Sequence, residues 1–234
     1  MTYRAVLFDA GETLVHPYPS FPELLIQVLR EHGHETDADA VRESLPVISD
    51  RFTQAAEGGE LWSTSPERSR EFWDSIYRLL LKEMGLPFGD DLADSLYRTF
   101  TDISNYRVFP ETVAVLEELR ERGLKLGVVS NFEEWLERLL QSLDVSRFFD
   151  VQVISGIEGY EKPDTRIFKL ALERVGEEPD TSVYVGDNPF FDIEPARSIG
   201  MFAVLIDRRD RFPEHDGPRI TSLDELPSLI GSPA

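Results

Sequence analysis

Short apolar segments, each ending on a polar residue and separated by helix-length stretches, leave this chain few ways to fold. Ala5 to Phe8 reads as a strand and runs directly into Asp9. Leu126 to Val129 is a second strand, ending at Ser130-Asn131, and Val151 to Ile154 is a third. Val183 to Val185 leads into Gly186-Asp187-Asn188, and Phe202 to Ile206 is the last strand of the series. Helices are predicted between them: Glu111 to Arg122 closed by Gly123, Glu133 to Leu143, Thr165 to Val175 closed by Gly176, and Ile193 to Ile199 before Gly200. Strands alternating with helices of this length imply right-handed crossovers and a parallel sheet covered on both faces. Such a sheet gathers the residues at its strand ends along one edge, where α/β proteins bind ligands.

The alternation is interrupted once. His16-Pro17-Tyr18-Pro19-Ser20-Phe21-Pro22 and Asn105-Tyr106-Arg107-Val108-Phe109-Pro110 look like seams. Between them helical spacing dominates: Phe21 to His32, Asp37 to Glu57, Pro66 to Met84 and Asp90 to Asp102 predict a four-helix bundle. The expected organisation is an α/β core of residues 1–17 and 107–234 with a helical insertion of residues 18–106. Phe72, Trp73 and Tyr77 read as bundle core, whereas Trp62, in a loop after Gly58-Gly59-Glu60, is placed to reach a ligand. His16 and Tyr18 at the first seam are placed to do the same. Asp207 to Ala234 reads as loop with one short helix at Ser222 to Leu226.

Composition narrows the partners. The chain has 44 Asp plus Glu against 24 Lys plus Arg, a formal charge of -20. A nucleic-acid binder needs a basic footprint, and the one cluster, Arg208-Arg209-Asp210-Arg211, is broken by an aspartate. A local cationic pocket still suits a small anion, because distant charges are screened. With no cysteine, thiolate metal sites and thiol nucleophiles are excluded. No apolar stretch approaches a membrane span. Thr2-Tyr3-Arg4 runs straight into a strand, which predicts no signal peptide and a cytoplasmic protein, monomeric or homodimeric.

Four polar groups therefore converge on the sheet edge: Asp9, Ser130, Lys162 in Glu161-Lys162-Pro163-Asp164, and Asp187 with Asp192 five residues on. Each has a plainer reading alone. Asp9, Ser130 and Asn131 suit helix caps, Lys162 suits the surface, and Asp187 and Asp192 suit a turn around Pro189. Taken in order, they resemble the four motifs of the haloacid dehalogenase-like (HAD) hydrolases, in the branch whose helical cap is inserted after the first motif. The resemblance runs from Asp9 to Met201. The family's first motif is aspartate, any residue, usually a second aspartate, glycine, then threonine; here it reads Asp9-Ala10-Gly11-Glu12-Thr13.

The resemblance implies a Rossmann-like core with a helical cap and a Mg2+-dependent hydrolase of small phosphorylated metabolites. Asp9 would be the nucleophile, forming an aspartyl-phosphate. Asp9, Asp187 and the Gly11 carbonyl would hold Mg2+, with Asp192 completing the metal site by orienting Lys162 or a metal-bound water. Lys162, Ser130 and the backbone N–H groups around Ala10, Gly11 and Asn131 would bind the phosphoryl oxygens, and Thr13 would brace the turn. Gly11 stands where the phosphatases carry their acid–base aspartate. Glu12 taking over that role, a substrate with a good leaving group, or a catalytically weak phospho-ligand-binding regulatory protein are the readings it leaves open. The family's 2-haloacid dehalogenases also lack that aspartate, but they lack the metal-binding acid found here as Asp187.

Overall fold

The computed structural model describes residues 3–231, so the ends of the predicted core segments, 1–2 and 232–234, lie outside the described residues. The chain divides into two compact units, Met1–His16 with Val108–Ala234, and Pro17–Arg107. In chain order the elements begin with β1 (Ala5–Phe8) and β2 (Val15–Pro17). Five helices follow: α1 (Phe21–Glu31), α2 (Ala38–Ser44), α3 (Pro46–Glu57), α4 (Pro66–Glu83) and α5 (Asp90–Thr101). Next come β3 (Tyr106–Val108), α6 (Thr112–Glu121), β4 (Lys125–Ser130), α7 (Trp135–Ser142), β5 (Val151–Ile154) and the short α8 (Ser155–Glu158). The series ends with α9 (Thr165–Val175), β6 (Ser182–Gly186), α10 (Glu194–Ser198), β7 (Phe202–Ile206), β8 (Arg219–Ile220) and α11 (Leu226–Leu229).

Six strands form one sheet in the order β5-β4-β1-β6-β7-β8, with every neighbouring pair parallel. This is a Rossmann-like α/β fold. β1 and β6 are buried along their whole length, as expected of parallel strands covered on both faces. α9 shows how the helices attach. Asp164 caps its first turn, Ile167, Phe168, Ala171, Leu172 and Val175 turn inward, and Gly176 at φ 68° ends it. Those side chains join Leu7, Val129, Val153 and Tyr184 in one core. The register sets Phe8 level with Val128 of β4 and Val185 of β6, so Asp9 emerges between two strand ends.

The helical unit has its own core, in which Leu25, Leu29, Tyr77, Leu80 and Leu96 meet. It contains five helices rather than four. The spacing predicts one continuous helix over residues 37–57, but Pro46 lacks the N–H that would bond to the Arg42 carbonyl, and Leu45 bonds to Arg42 instead at 3.3 Å. Trp62 does not behave as a ligand-reaching loop residue. It is buried, stacked on Phe72 at 5.3 Å and edge-on to Phe52. The tail also departs from a simple loop, since β8 pairs with β7 as a sixth strand before a short turn and α11. Among the described residues no helix is long and apolar enough to cross a membrane.

Candidate active site

Asp9 continues β1 by one residue, its N–H bonding the Val185 carbonyl at 2.8 Å. The chain then folds back tightly. Leu14 and Val15 both donate to the Ala10 carbonyl, at 2.9 and 3.0 Å, and Glu12 donates to the Val15 carbonyl at 2.8 Å. This turn forces Glu12 to φ 55°, a left-handed conformation that glycine adopts more readily. Among the described residues the backbone N–H groups of Ala10, Gly11 and Asn131 find no acceptor, leaving donors at the ends of β1 and β4.

Lys162 is buried, not a surface residue, with its side chain 4% exposed. Its Nζ lies 2.6 Å from Asp9 Oδ1, 2.6 Å from Asp192 Oδ1 and 3.3 Å from the Tyr184 hydroxyl. Ser130 donates to the same Asp9 oxygen at 3.0 Å, so these side-chain hydrogen bonds fall on Oδ1 and leave Oδ2 for other work. The Tyr184 hydroxyl is 3.0 Å from both Asp192 Oδ1 and the Val129 carbonyl. Asn131 joins the loops: its amide donates to the Lys162 carbonyl at 2.8 Å and accepts the Lys162 N–H at 2.6 Å.

The acid pair after β6 is held by close packing. A Cβ on Gly186 would sit 2.4 Å from Asp192 Cγ, so only glycine lets Asp192 approach the strand. Asp192 Oδ2 accepts the Asn188 N–H at 3.0 Å, while the Asn188 side chain caps Phe190 and Phe191. Asp187 Oδ2 accepts a hydrogen bond from the Arg211 guanidinium at 2.7 Å. One carboxylate oxygen from each of Asp9, Asp187 and Asp192 lies within 4.8 Å of the others.

Charge is unbalanced in this cluster. Burial works against the Lys162 ammonium, yet Asp192 and Asp9 outweigh it and raise its pKa above the usual lysine range. Burial raises the Asp9 carboxyl, with Lys162 pulling the other way. Burial, then the charges of Asp192 and Asp9, push Asp187 up to about 7 against the pull of Arg211. Three carboxylates face one buried ammonium and the partly exposed Arg211 guanidinium, which leaves negative charge in excess, and an all-oxygen donor set suits a hard divalent ion.

A haloacid dehalogenase-like hydrolase family model matches residues 3–200. The chain belongs to the haloacid dehalogenase-like hydrolases. The mouse haloacid dehalogenase-like hydrolase domain-containing protein 3 is 34% identical over 97% of this chain and 93% of its own length. The glyceraldehyde 3-phosphate phosphatase of Methanopyrus kandleri is 32% identical over 91% of this chain and 89% of its own. The crystal structure of a HAD phosphatase from Thermococcus onnurineus is 27% identical, covers 98% of each chain and superposes with a TM-score of 0.64.

Within this haloacid dehalogenase-like hydrolase, Asp9, Ser130, Lys162 and Asp192 form one hydrogen-bonded group, with Asp187 beside it. Glu12 lies apart from that network. Its carboxylate pairs with Arg209 at 2.8 Å. The Thr13 hydroxyl is buried and has no hydrogen-bond partner among the described residues; the turn is braced by backbone instead. Tyr184 and Arg211 were missed from sequence. A tyrosine inside a buried strand must satisfy its hydroxyl, which was the available signal for the first. Arg211 belonged to the one basic cluster of the chain.

Proposed function

We propose that this chain is a Mg2+-dependent phosphatase of small phosphorylated metabolites in which Asp9 is the nucleophile and the acid–base aspartate is absent. The observation that carries the reading is the Asp9–Lys162–Asp192 relay, 2.6 Å at each step, with Ser130 on the same Asp9 oxygen. Lys162 fixes Asp9 so that Oδ2 is presented for in-line attack on phosphorus, and its charge stabilises the phosphoryl oxygens. The Ser130 hydroxyl and the open N–H groups of Ala10, Gly11 and Asn131 supply further donors to those oxygens. Attack forms the Asp9–phosphorus bond as the ester oxygen departs, and water then releases phosphate and regenerates the carboxylate. Asp9, Asp187 and the Gly11 carbonyl are the donors for Mg2+, which when bound neutralises phosphoryl charge. Asp192, already bonded through both oxygens, holds Lys162. The helical unit serves as the cap, and the protein acts in the cytoplasm on small molecules rather than nucleic acid.

Names of the relatives support phosphate chemistry, and Asp187 supports it over dehalogenation. The test is turnover of metabolite phosphates, acyl phosphates and 2-haloacids with Mg2+ present or chelated. Phosphate release that requires Mg2+ is expected. Halide release that survives chelation would replace this reading with the dehalogenase.

Mg2+ binding should also depend on pH in a defined direction. Below about 7 the Asp187 carboxyl of the metal-free protein carries a proton that the cation must displace. Affinity measured by calorimetry should therefore weaken as pH falls, approaching about tenfold per unit well below 7, and level off above it. Affinity that stays flat across this range would contradict a ligand carboxyl at Asp187 raised to about 7.

A further inference from the structure

The basic cluster Arg208-Arg209-Asp210-Arg211 has a defined structure. It follows β7 and is anchored by Asp207, which is fully buried. Asp207 accepts the N–H groups of Arg211 and Phe212 at 2.9 and 2.8 Å and a guanidinium bond from Arg219 at 2.9 Å. From this anchored turn the arginines reach both loops of the site. Arg208 lies 3.5 Å over the Phe109 ring, bonds Glu111 at 2.6 Å, and donates to the carbonyls of Glu12 and Thr13 at 3.2 and 2.9 Å. Arg209 holds the Glu12 carboxylate. Arg211 bridges to the other loop, donating to Asp187 Oδ2 at 2.7 Å and to the Asp187 carbonyl at 3.1 Å.

We propose that Arg211 is an electrostatic competitor of the divalent cation at Asp187 and thereby sets how tightly this protein holds its metal. The inference rests on the metal reading above. A guanidinium hydrogen-bonded to a ligand carboxylate opposes an incoming cation in two ways: it occupies a lone pair the ion would use, and it repels the ion's charge. It cannot withdraw by losing its proton, because arginine stays charged in proteins. The side chains are 44% exposed for Arg211 and 19% for Asp187, so the repulsion is partly screened but not abolished. Asp207 pins the Arg211 backbone, and the guanidinium makes two hydrogen bonds to Asp187, one to its carboxylate and one to its carbonyl.

The test is titration calorimetry with MgCl2 alone, in alkaline buffer where Asp187 is ionised, on wild type, Arg211→Gln, Arg211→Met, Arg211→Lys and Asp187→Asn. Thermal denaturation of each variant establishes which are folded. Arg211→Gln and Arg211→Met should bind Mg2+ about three- to tenfold more tightly than wild type, the size of a partly screened charge pair. Arg211→Lys, which keeps the charge, should stay within about twofold of wild type. Unchanged or weaker binding in the two neutral variants overturns the proposal, weaker binding meaning that Arg211 orients Asp187 for the metal. A gain in Arg211→Lys equal to that of the neutral variants also overturns it, because charge would then not be the cause. The metal reading fails separately: wild type that binds no Mg2+, or Asp187→Asn that binds it as wild type does, removes both. If wild type binds, Asp187→Asn does not and the neutral variants are unchanged, the competitor alone is lost.

Discussion

Asp9→Asn should fold normally and hydrolyse phosphate esters more slowly than wild type by a factor on the order of 10⁴–10⁶, the range seen when an enzyme loses its nucleophile. The change keeps the shape of the side chain and removes the charge that attacks. It also strips the ammonium of Lys162 of one of its two carboxylate partners, at a position where burial already works against that ammonium. Asp192 remains 2.6 Å away, so the lysine keeps one charged partner and the fold survives. Asn can still accept from Ser130 and Lys162 through its amide oxygen, and the geometry around Oδ1 persists. Loss of activity with an unchanged melting transition is the expected pair of results. Retained turnover would mean that another group attacks phosphorus.

Gly11→Asp should raise turnover of alkyl phosphates preferentially, by up to the roughly 10²–10⁴ that a positioned acid–base group contributes. Alkyl leaving groups need a proton as they depart, whereas phenolate and carboxylate do not, so wild type should favour aryl and acyl phosphates. The site has room for the change. A Cβ built on Gly11 meets only the Phe132 ring, at 4.0 Å, an ordinary contact. The neighbouring acid is poorly placed to substitute for it, since Glu12 is drawn to Arg209 and its backbone is set at φ 55° by the turn. Glu12→Ala should therefore alter alkyl-ester turnover little. Loss of that turnover in Glu12→Ala, with no gain in Gly11→Asp, would assign the acid–base role to Glu12. The variant pair thus separates a missing function from a displaced one.

Much of this was legible because the strands are apolar runs with polar ends. Ala5 to Phe8 and Val151 to Ile154 appear in the fold with the bounds the pattern gives, and Gly176 ends α9 in the left-handed conformation that favours glycine. Parallel pairing then brings Asp9, Ser130 and Asp187 to one edge without further assumption. What was not legible depends on contacts distant in sequence. β8 is two residues long, too short for any periodicity, and exists because it pairs with β7. The division of α2 from α3 is local instead and was open to view, since Pro46 has no N–H with which to continue the helix. Glu12 shows nothing in sequence of its positive φ, nor Arg211 of its carboxylate 24 residues back in the chain. The glycine-rich loop before Trp62 suggests an outward ring, whereas the ring is large enough to be claimed by its own unit's core.

The most direct measurement is to mix the protein with Mg2+ and an aryl phosphate, quench in acid within one turnover, and determine mass and peptide map. A good leaving group loads Asp9 quickly, while the missing acid–base residue leaves water poorly activated, so the phosphorylated form should accumulate. One added phosphoryl group is expected on the peptide containing Asp9, present in wild type and absent in Asp9→Asn. Rapid phosphate release with no labelled aspartate at any quench time, or a label on another residue, would contradict it.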